Sequence, residues 1–229
     1  MGKIYLVAGI DTGVGKTVAT GQMARDLRSR GVDAITVRLV QTGNDGYSED
    51  IDAHRAIMGC RFPEDDQGLT APQIFKFPSS PELAARLEGK TVDLDRIREC
   101  VRLCADQHEV VLVEAAGGLH VPLTKDLLTI DFAAAEGWPM ILVTSGRLGS
   151  INHTLLSLEA AKARGMKVAG VVYNWSEGTD PIIDQDTPEM TRHWLSRWGY
   201  PPVVVRLPRV TSNPAALSGV DFSPLFPNL

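Results

Sequence analysis

Cysteine is scarce in this chain. Cys60, Cys100 and Cys104 are the only three among 229 residues, too few and too irregularly spaced for a disulfide framework, and no pair has the C-x-x-C spacing of a metal or redox site. They read as buried thiols used for packing. Lysine and arginine form no cluster, and a net charge of −5 argues against bulk nucleic-acid binding. No apolar run approaches the roughly 18 residues of a membrane span. The N-terminus runs straight into a charged residue and a strand without signal-peptide organisation, so the expected compartment is the cytoplasm. Internal repeats and low-complexity linkers are also missing, and with them any sign of a domain boundary. What is present is apolar material, 44% of residues, enough for one large core in a single α/β domain over residues 1–229. The partners expected are small molecules and protein.

Ile4 to Ala8 is a β-type apolar run that feeds the loop Gly9-Ile10-Asp11-Thr12-Gly13-Val14-Gly15-Lys16-Thr17. Val18 to Arg28 follows with the Ala, Met, Leu, Gln and Arg content of a helix. Strand, phosphate loop and helix are predicted. Gly9 and Gly15 are separated by five residues, one more than the strict Walker A motif allows. The physics survives the extra residue. Gly13, Val14 and Gly15 offer backbone N–H groups to a polyphosphate, the helix N-terminus adds positive partial charge, Lys16 is a cation, and the Thr17 hydroxyl suits Mg²⁺. Alone, the loop says only that a nucleoside triphosphate binds.

Ala34 to Val40 reads as a second strand with Arg38 inside it. In doubly wound sheets the ligand crevice lies outside the carboxyl ends of the strands, so Arg38 and Gln41-Thr42-Gly43 are expected to reach toward the same phosphates as Lys16. An edge-strand arginine facing solvent is the plainer alternative. Asn44 to Asp50 reads as a loop and Asp52 to Met58 as a short helix. Of Asp45, Glu49, Asp50 and Asp52, only one needs to be a Mg²⁺ ligand, and most fit a solvated acidic loop. Residues 61–81 read as a long excursion that docks on the domain as a substrate loop. Pro81 starts a short helix to Leu87, and Asp93 caps another from Leu94 to Cys104.

Val110-Val111-Leu112-Val113-Glu114 is a continuous apolar run, as expected for a parallel strand covered on both faces. It ends in an acid at the Walker B place, with the flexible Ala115-Ala116-Gly117-Gly118 behind it. Glu114 is therefore a candidate for Mg²⁺, directly or through water. Met140 to Ser145 makes another strand and Asn152 to Arg164 a helix. The loop Gly146 to Ser150 between them can bind a carboxylate through backbone N–H groups or serve as a cap. His153 reads as structural. Val168 to Tyr173 closes on Asn174, whose amide matches an adenine edge or simply makes a turn. A polar loop over 176–188, a helix from Pro188 to Trp198, a strand from Pro202 to Leu207 and a proline-rich tail complete the chain.

The five-residue spacing before Gly15-Lys16-Thr17, then Val113-Glu114-x-Ala116-Gly117-Gly118, Leu148-Gly149-x-Ile151-Asn152-His153 and Gly170-Val171-Val172-x-Asn174, together resemble the dethiobiotin synthetase family as far as residue 174. The Asp11-Thr12 pair belongs to that variant loop. The resemblance implies a P-loop NTPase fold, a mostly parallel doubly wound sheet flanked by helices, with ATP and Mg²⁺ as cofactors. It implies capture of CO₂ on an amine of 7,8-diaminononanoate as a carbamate, phosphorylation of that carbamate, and closure to a cyclic urea without a covalent enzyme intermediate. Catalysis would fall to Lys16, Arg38 and Thr12. Nucleotide would be held by Gly13, Val14, Gly15, Lys16, Thr17, Glu114, Gly117, Gly118 and Asn174, and Mg²⁺ by Thr17, Asp52 and Glu114. Thr42, Ser80, Pro81, Ser150 and Asn152 would face the diamine, at the interface of a homodimer that binds neither nucleic acid nor membrane.

Departures from the family pattern are informative. Arg38-Leu39-Val40 stands where the family has Lys-Pro-Val, and Ser80-Pro81-Glu82 where relatives often read Ser-Pro-His. The segment after Asn174 has no alignable counterpart. Rival readings are a paralogue that binds ATP but acts on another amine, the synthetase half of a cobyrinate amidotransferase, and a non-enzymatic ATP switch of the partitioning kind. Those switches carry a second lysine early in the loop, where this chain has Ile10-Asp11-Thr12.

Overall fold

Apolar strands alternating with helices dictate a layered α/β arrangement. The computed structural model, which describes residues 1–175, 179–208, 214–217, 219–227 and 229, has that arrangement. In chain order the elements are β1 (Lys3–Gly9), α1 (Lys16–Ser29), β2 (Ala34–Arg38), β3 (Gln41–Thr42), α2 (Glu49–Met58), α3 (Pro63–Asp66), β4 (Ile74–Phe75), α4 (Pro81–Leu87), α5 (Leu94–Gln107), β5 (Val110–Gly118), α6 (Thr129–Ala135), β6 (Met140–Ser145), α7 (Ser150–Ala163), β7 (Val168–Asn174), α8 (Pro181–Arg197) and β8 (Val204–Leu207), with 3₁₀ turns at Pro214–Ala216 and Ser223–Leu225.

Strands β2-β5-β1-β6-β7-β8 form one parallel sheet in that order. With β5 on one side of β1 and β6 on the other, the winding reverses at β1, and the crevice outside its carboxyl end is the switch point where ligands bind in such sheets. The central strands are continuous apolar runs because helices cover both faces. Leu6, Val7, Ala8, Val110 to Val113 and Ile141 to Val143 are fully buried, each large side chain contributing about 1.5–3 kcal/mol. Cys100 and Cys104 pack from α5 into this core, and burial pushes the Cys104 thiol up to about 12, which makes it inert.

Several boundaries differ from the sequence expectation, each for a local reason. Strand β2 ends at Arg38 rather than Val40, because the chain leaves the main sheet there. Gln41–Thr42 instead pairs in parallel with Ile74–Phe75, so residues 61–81 contain a strand and are not merely a docked loop. Helix α2 begins at Glu49 rather than Asp52, since Ser48 is its N-cap and accepts the Ile51 N–H through Oγ at 3.2 Å. Helix α8 begins at Pro181, capped by Asp180, and carries Pro188 inside it. Proline cannot donate to the Asp184 carbonyl one turn back, and Arg206 Nη2 donates to that oxygen at 2.9 Å instead. Helix α6 lies in a stretch where the sequence suggests no element. Parts of the expected polar loop and tail, residues 176–178 and 209–213, lie outside the described residues. Among those described, no helix is long and apolar enough to cross a membrane.

Helices α1 and α2 approach closely. A Cβ on Gly21 would lie 2.9 Å from Ile57 Cδ1 and 3.1 Å from its Cβ, so any larger residue would have to push Ile57 aside. Arg55 ties α2 to β2 and α3, its Nη1 donating to Thr36 Oγ1 at 2.7 Å and its guanidinium forking onto Asp65. This packing sets Asp50 and His54, one turn apart on α2, over the carboxyl ends of β2 and β5.

Candidate nucleotide and metal site

The loop between β1 and α1 folds as a phosphate cradle. Gly13 and Gly15 have φ of 74° and 89°, a left-handed conformation that side chains resist. A Cβ on Gly15 would fall 2.1 Å from Asn174 Nδ2. That amide donates to the Val14 carbonyl at 2.9 Å, so the end of β7 braces the loop. Lys16 is buried and its Nζ donates to the Asp11 carbonyl at 3.0 Å. Burial draws its pKa below the ordinary lysine value, with Glu114 opposing the shift and Arg38 adding to it. The Thr12 N–H and the Arg147 guanidinium, the latter at 3.0 Å, hold Asp11 below the usual carboxylate range and link the loop to the segment before α7. Gly117, left-handed at φ 63°, lies beside Thr12, and Gly118 beside the Ile10 backbone.

Glu114 is the centre of the site. It is 1% exposed, and four groups surround it. Oε2 lies 2.8 Å from His54 Nε2, while Oε1 lies 3.1 Å from Thr17 Oγ1 and 3.4 Å from Arg38 Nη1; the Lys16 charge is also close. Burial alone would raise its pKa, but Arg38, the His54 hydrogen bond and charge, and Lys16 outweigh burial and hold it down at about 2. An ionised carboxylate only accepts, so His54 Nε2 carries the proton in this contact. Thr17 Oγ1 also lies 2.8 Å from Asp50 Oδ1. Arg38 Nε sits 2.8 Å from Asp50 Oδ2, and its Nη1 donates to the Ala115 carbonyl at 2.6 Å. Thr17, Asp50 and Glu114 thus converge, with Arg38 as their common counter-charge.

The structure brings Thr12, Gly13, Val14, Gly15, Lys16, Thr17, Arg38, Glu114, Gly117, Gly118 and Asn174 to this crevice. Asp52 does not join them. It faces solvent and pairs with Arg61 at 3.0 Å, because with α2 starting at Glu49 it is Asp50 that falls on the inward face. Arg38 is turned onto the two carboxylates and the Ala115 carbonyl, a different destination from the phosphates expected of it. Ser150 is buried with its hydroxyl 3.0 Å from Ser145 Oγ, whereas Asn152 is exposed on the first turn of α7. Ser80 caps α4, Pro81 is buried in its first turn, and Glu82 pairs with Arg86 at 3.0 Å. Thr42, half-buried, ends β3. A half-open cleft of about 720 Å³ lies between the phosphate loop and α7, with Asp11, Gly118, Val121, His153 and Leu156 on its walls. Of the four acidic candidates in the sequence it is Asp50, not Asp52, that reaches the crevice, and beside it stands His54, which the sequence reading did not single out. Recognising Ser48 as an N-cap would have placed both on one helix face.

Among solved structures, a ParA family ATPase from Chlorobium tepidum superposes with a TM-score of 0.51 at 11% identity, over 92% of this chain and 86% of that one. The pNOB8 ParA bound to nonspecific DNA gives 0.55 at 13% identity, with the same coverage. At such identities the likeness shows the fold alone. A family model described as an AAA domain matches residues 3–213. An ATP-dependent dethiobiotin synthetase BioD 2 of Pasteurella multocida is 43% identical over 86% of this chain and 93% of its own length. The BioD of Chlorobaculum tepidum is 45% identical over 87% and 84%, and a BioD 2 of Haemophilus influenzae 46% identical over 76% and 92%. Identity at this level, over 84–93% of the length of each relative, places the chain: it belongs to the ATP-dependent dethiobiotin synthetase family.

Proposed function

We propose that this chain is an ATP-dependent ligase that makes dethiobiotin, a step in biotin biosynthesis. One amine of 7,8-diaminononanoate captures CO₂ as a carbamate. The carbamate oxygen attacks the γ-phosphorus of ATP and ADP leaves. The neighbouring amine then attacks the mixed anhydride carbon, phosphate departs, and the amine loses its proton as the cyclic urea closes. The observation that carries this reading is the 43–46% identity to three relatives of that name.

Within that reaction the protein has to shield negative charge and hold reactants in line. Lys16 bridges the charge of carbamate and γ-phosphate, Thr12 lies beside them, and the N–H groups of Gly13, Val14 and Gly15 cradle the phosphates. Thr17 Oγ1, Asp50 Oδ1 and Glu114 Oε1 form a compact set of hard oxygen donors. Mg²⁺ takes one or two carboxylates and completes its shell with water and phosphate oxygens, so this set fits it. When bound, Mg²⁺ supplies charge neutralisation on the polyphosphate. Arg38 balances the two carboxylates. Asn174 spends one N–H on Val14 and keeps its other N–H and its Oδ1 for the adenine edge. Thr42 and Ser80, both half-buried, are offered to the diamine, while Pro81, buried in the first turn of α4, only shapes that loop.

A cytoplasmic homodimer completes the reading, with Asn152 of α7 offered to the diamine carboxylate across the interface; Ser150, buried against Ser145 and with its N–H on the Arg147 carbonyl, is withdrawn from that role. Leu148 and Leu156, 84% and 55% exposed, leave apolar surface beside Asn152 that a two-fold partner would cover. Leu156→Asp is expected to yield a monomer in sedimentation and to raise KM for the diamine more than KM for ATP. A monomeric wild-type enzyme with full activity would contradict the dimer.

The reaction itself is tested by incubating the protein with MgATP, labelled bicarbonate and 7,8-diaminononanoate. Acid-stable label in a cyclic urea, with one ADP per label fixed, is the expected result. ATP binding without fixation of label would favour a paralogue with another amine substrate.

A further inference from the structure

Buried on the inner face of α2, His54 has no place in the chemistry above. It is fully excluded from solvent, its Nε2 lies 2.8 Å from Glu114 Oε2, and its Nδ1 has no hydrogen-bond partner among the described residues. A buried imidazole with an unsatisfied nitrogen costs stability, so its retention calls for a compensating contact. That contact is the Glu114 carboxylate, and its geometry is selective. His54 occupies Oε2 alone and leaves Oε1 turned toward Thr17 and Arg38. Asp50 reaches the same threonine from one turn earlier on the same helix, so α2 supplies one carboxylate to the donor set and orients the other.

We propose that His54 is a positioning residue for Glu114. It fixes the carboxylate in one rotamer and commits one oxygen, so that Glu114 offers a single oxygen, Oε1, to the divalent cation. The proposal rests on the assignment of Glu114 to the cation site. Partners of this kind, which hold a ligand without touching the metal, typically govern affinity by about 10- to 100-fold.

The test uses the full-length protein with Mn²⁺ as the probe, its binding read by electron paramagnetic resonance in the presence of a non-hydrolysable ATP analogue. His54→Leu removes the donor and His54→Gln returns an N–H near the position of Nε2. His54→Asn keeps a polar side chain but is too short to reach Glu114, and it replaces the leucine variant if that protein does not fold. Loss of about tenfold or more in Mn²⁺ affinity is expected for Leu and Asn, with Gln within about threefold of wild type. In turnover the Leu and Asn variants should raise KM for MgATP more than they lower kcat. A folded Leu or Asn variant with wild-type Mn²⁺ affinity overturns the proposal, as does a folded Gln variant that loses as much as Leu. Glu114→Gln separates this outcome from failure of the site itself. If that substitution leaves Mn²⁺ binding unchanged, the cation assignment is wrong; if it abolishes binding while His54→Leu does not, only the role of His54 falls.

Discussion

Lys16→Met is expected to lower the rate of cyclic urea formation by about three orders of magnitude, the range seen when a preorganised charge at the reacting centre is removed. Two features of the site make the loss this large. Lys16 is buried within the loop itself, with Nζ held on the Asp11 carbonyl until a phosphate competes for it. The other buried cation of the crevice, Arg38, is already committed to Asp50, Glu114 and the Ala115 carbonyl, so no neighbouring charge can substitute. Methionine keeps the apolar stem in place, and removing a desolvated ammonium spares its burial cost, so the fold should survive. Single-turnover formation of labelled urea at saturating ATP, together with a melting curve, separates the two effects. A variant that kept a tenth of wild-type kcat would show that the charge at the transferring phosphoryl comes from elsewhere.

Most of the strand and helix framework is legible in the sequence because parallel strands buried on both faces read as unbroken apolar runs. Val110 to Val113 and Met140 to Ser145 appear as such, and each is a strand in the structure. The phosphate loop is legible for a different reason: glycines at left-handed positions, a lysine and a threonine must fall at fixed offsets. What the sequence hides is decided by caps and by tertiary contact. A single capping serine, Ser48, moves the start of α2 to Glu49, and that shift exchanges Asp52 for Asp50 at the crevice and brings His54 to Glu114. The destination of Arg38 is likewise not local. It depends on β5 lying beside β2, a pairing between residues 76 positions apart in the chain.

Arg38 carries the second large effect, and it is one of stability. Its guanidinium contacts two carboxylates and a backbone carbonyl at the junction of β2, β5 and α2, and it is itself almost fully buried. Arg38→Met would leave Glu114 deep in the protein with only His54 and Lys16 opposite it, and Asp50 without its partner. Breaking one side of a buried charge cluster typically costs about 3–5 kcal/mol, because the remaining charges keep their desolvation penalty. In a chain of this size that corresponds to a fall in Tm of roughly 10 °C at neutral pH. The acid limb should move as well. Glu114 is held at about 2 in the folded protein against an ordinary 4.5, so its ionised form contributes stability that is fully present above the unfolded value and is lost as pH falls from about 4.5 through about 2. Without Arg38 the folded value rises toward the unfolded one, and less of the stability lost on acidification belongs to Glu114. The difference between wild type and variant should therefore be greatest near neutrality and shrink below about pH 4. Arg38→Lys keeps one charge but not the planar fork, so it cannot serve Ala115 and both carboxylates at once and should recover only part of the loss. Thermal melts of the three proteins from pH 3 to pH 8 measure all of this. An Arg38→Met protein as stable as wild type at pH 7 would mean that the two carboxylates take up a cation or a proton in its place, and Mn²⁺ titration of that variant would distinguish them.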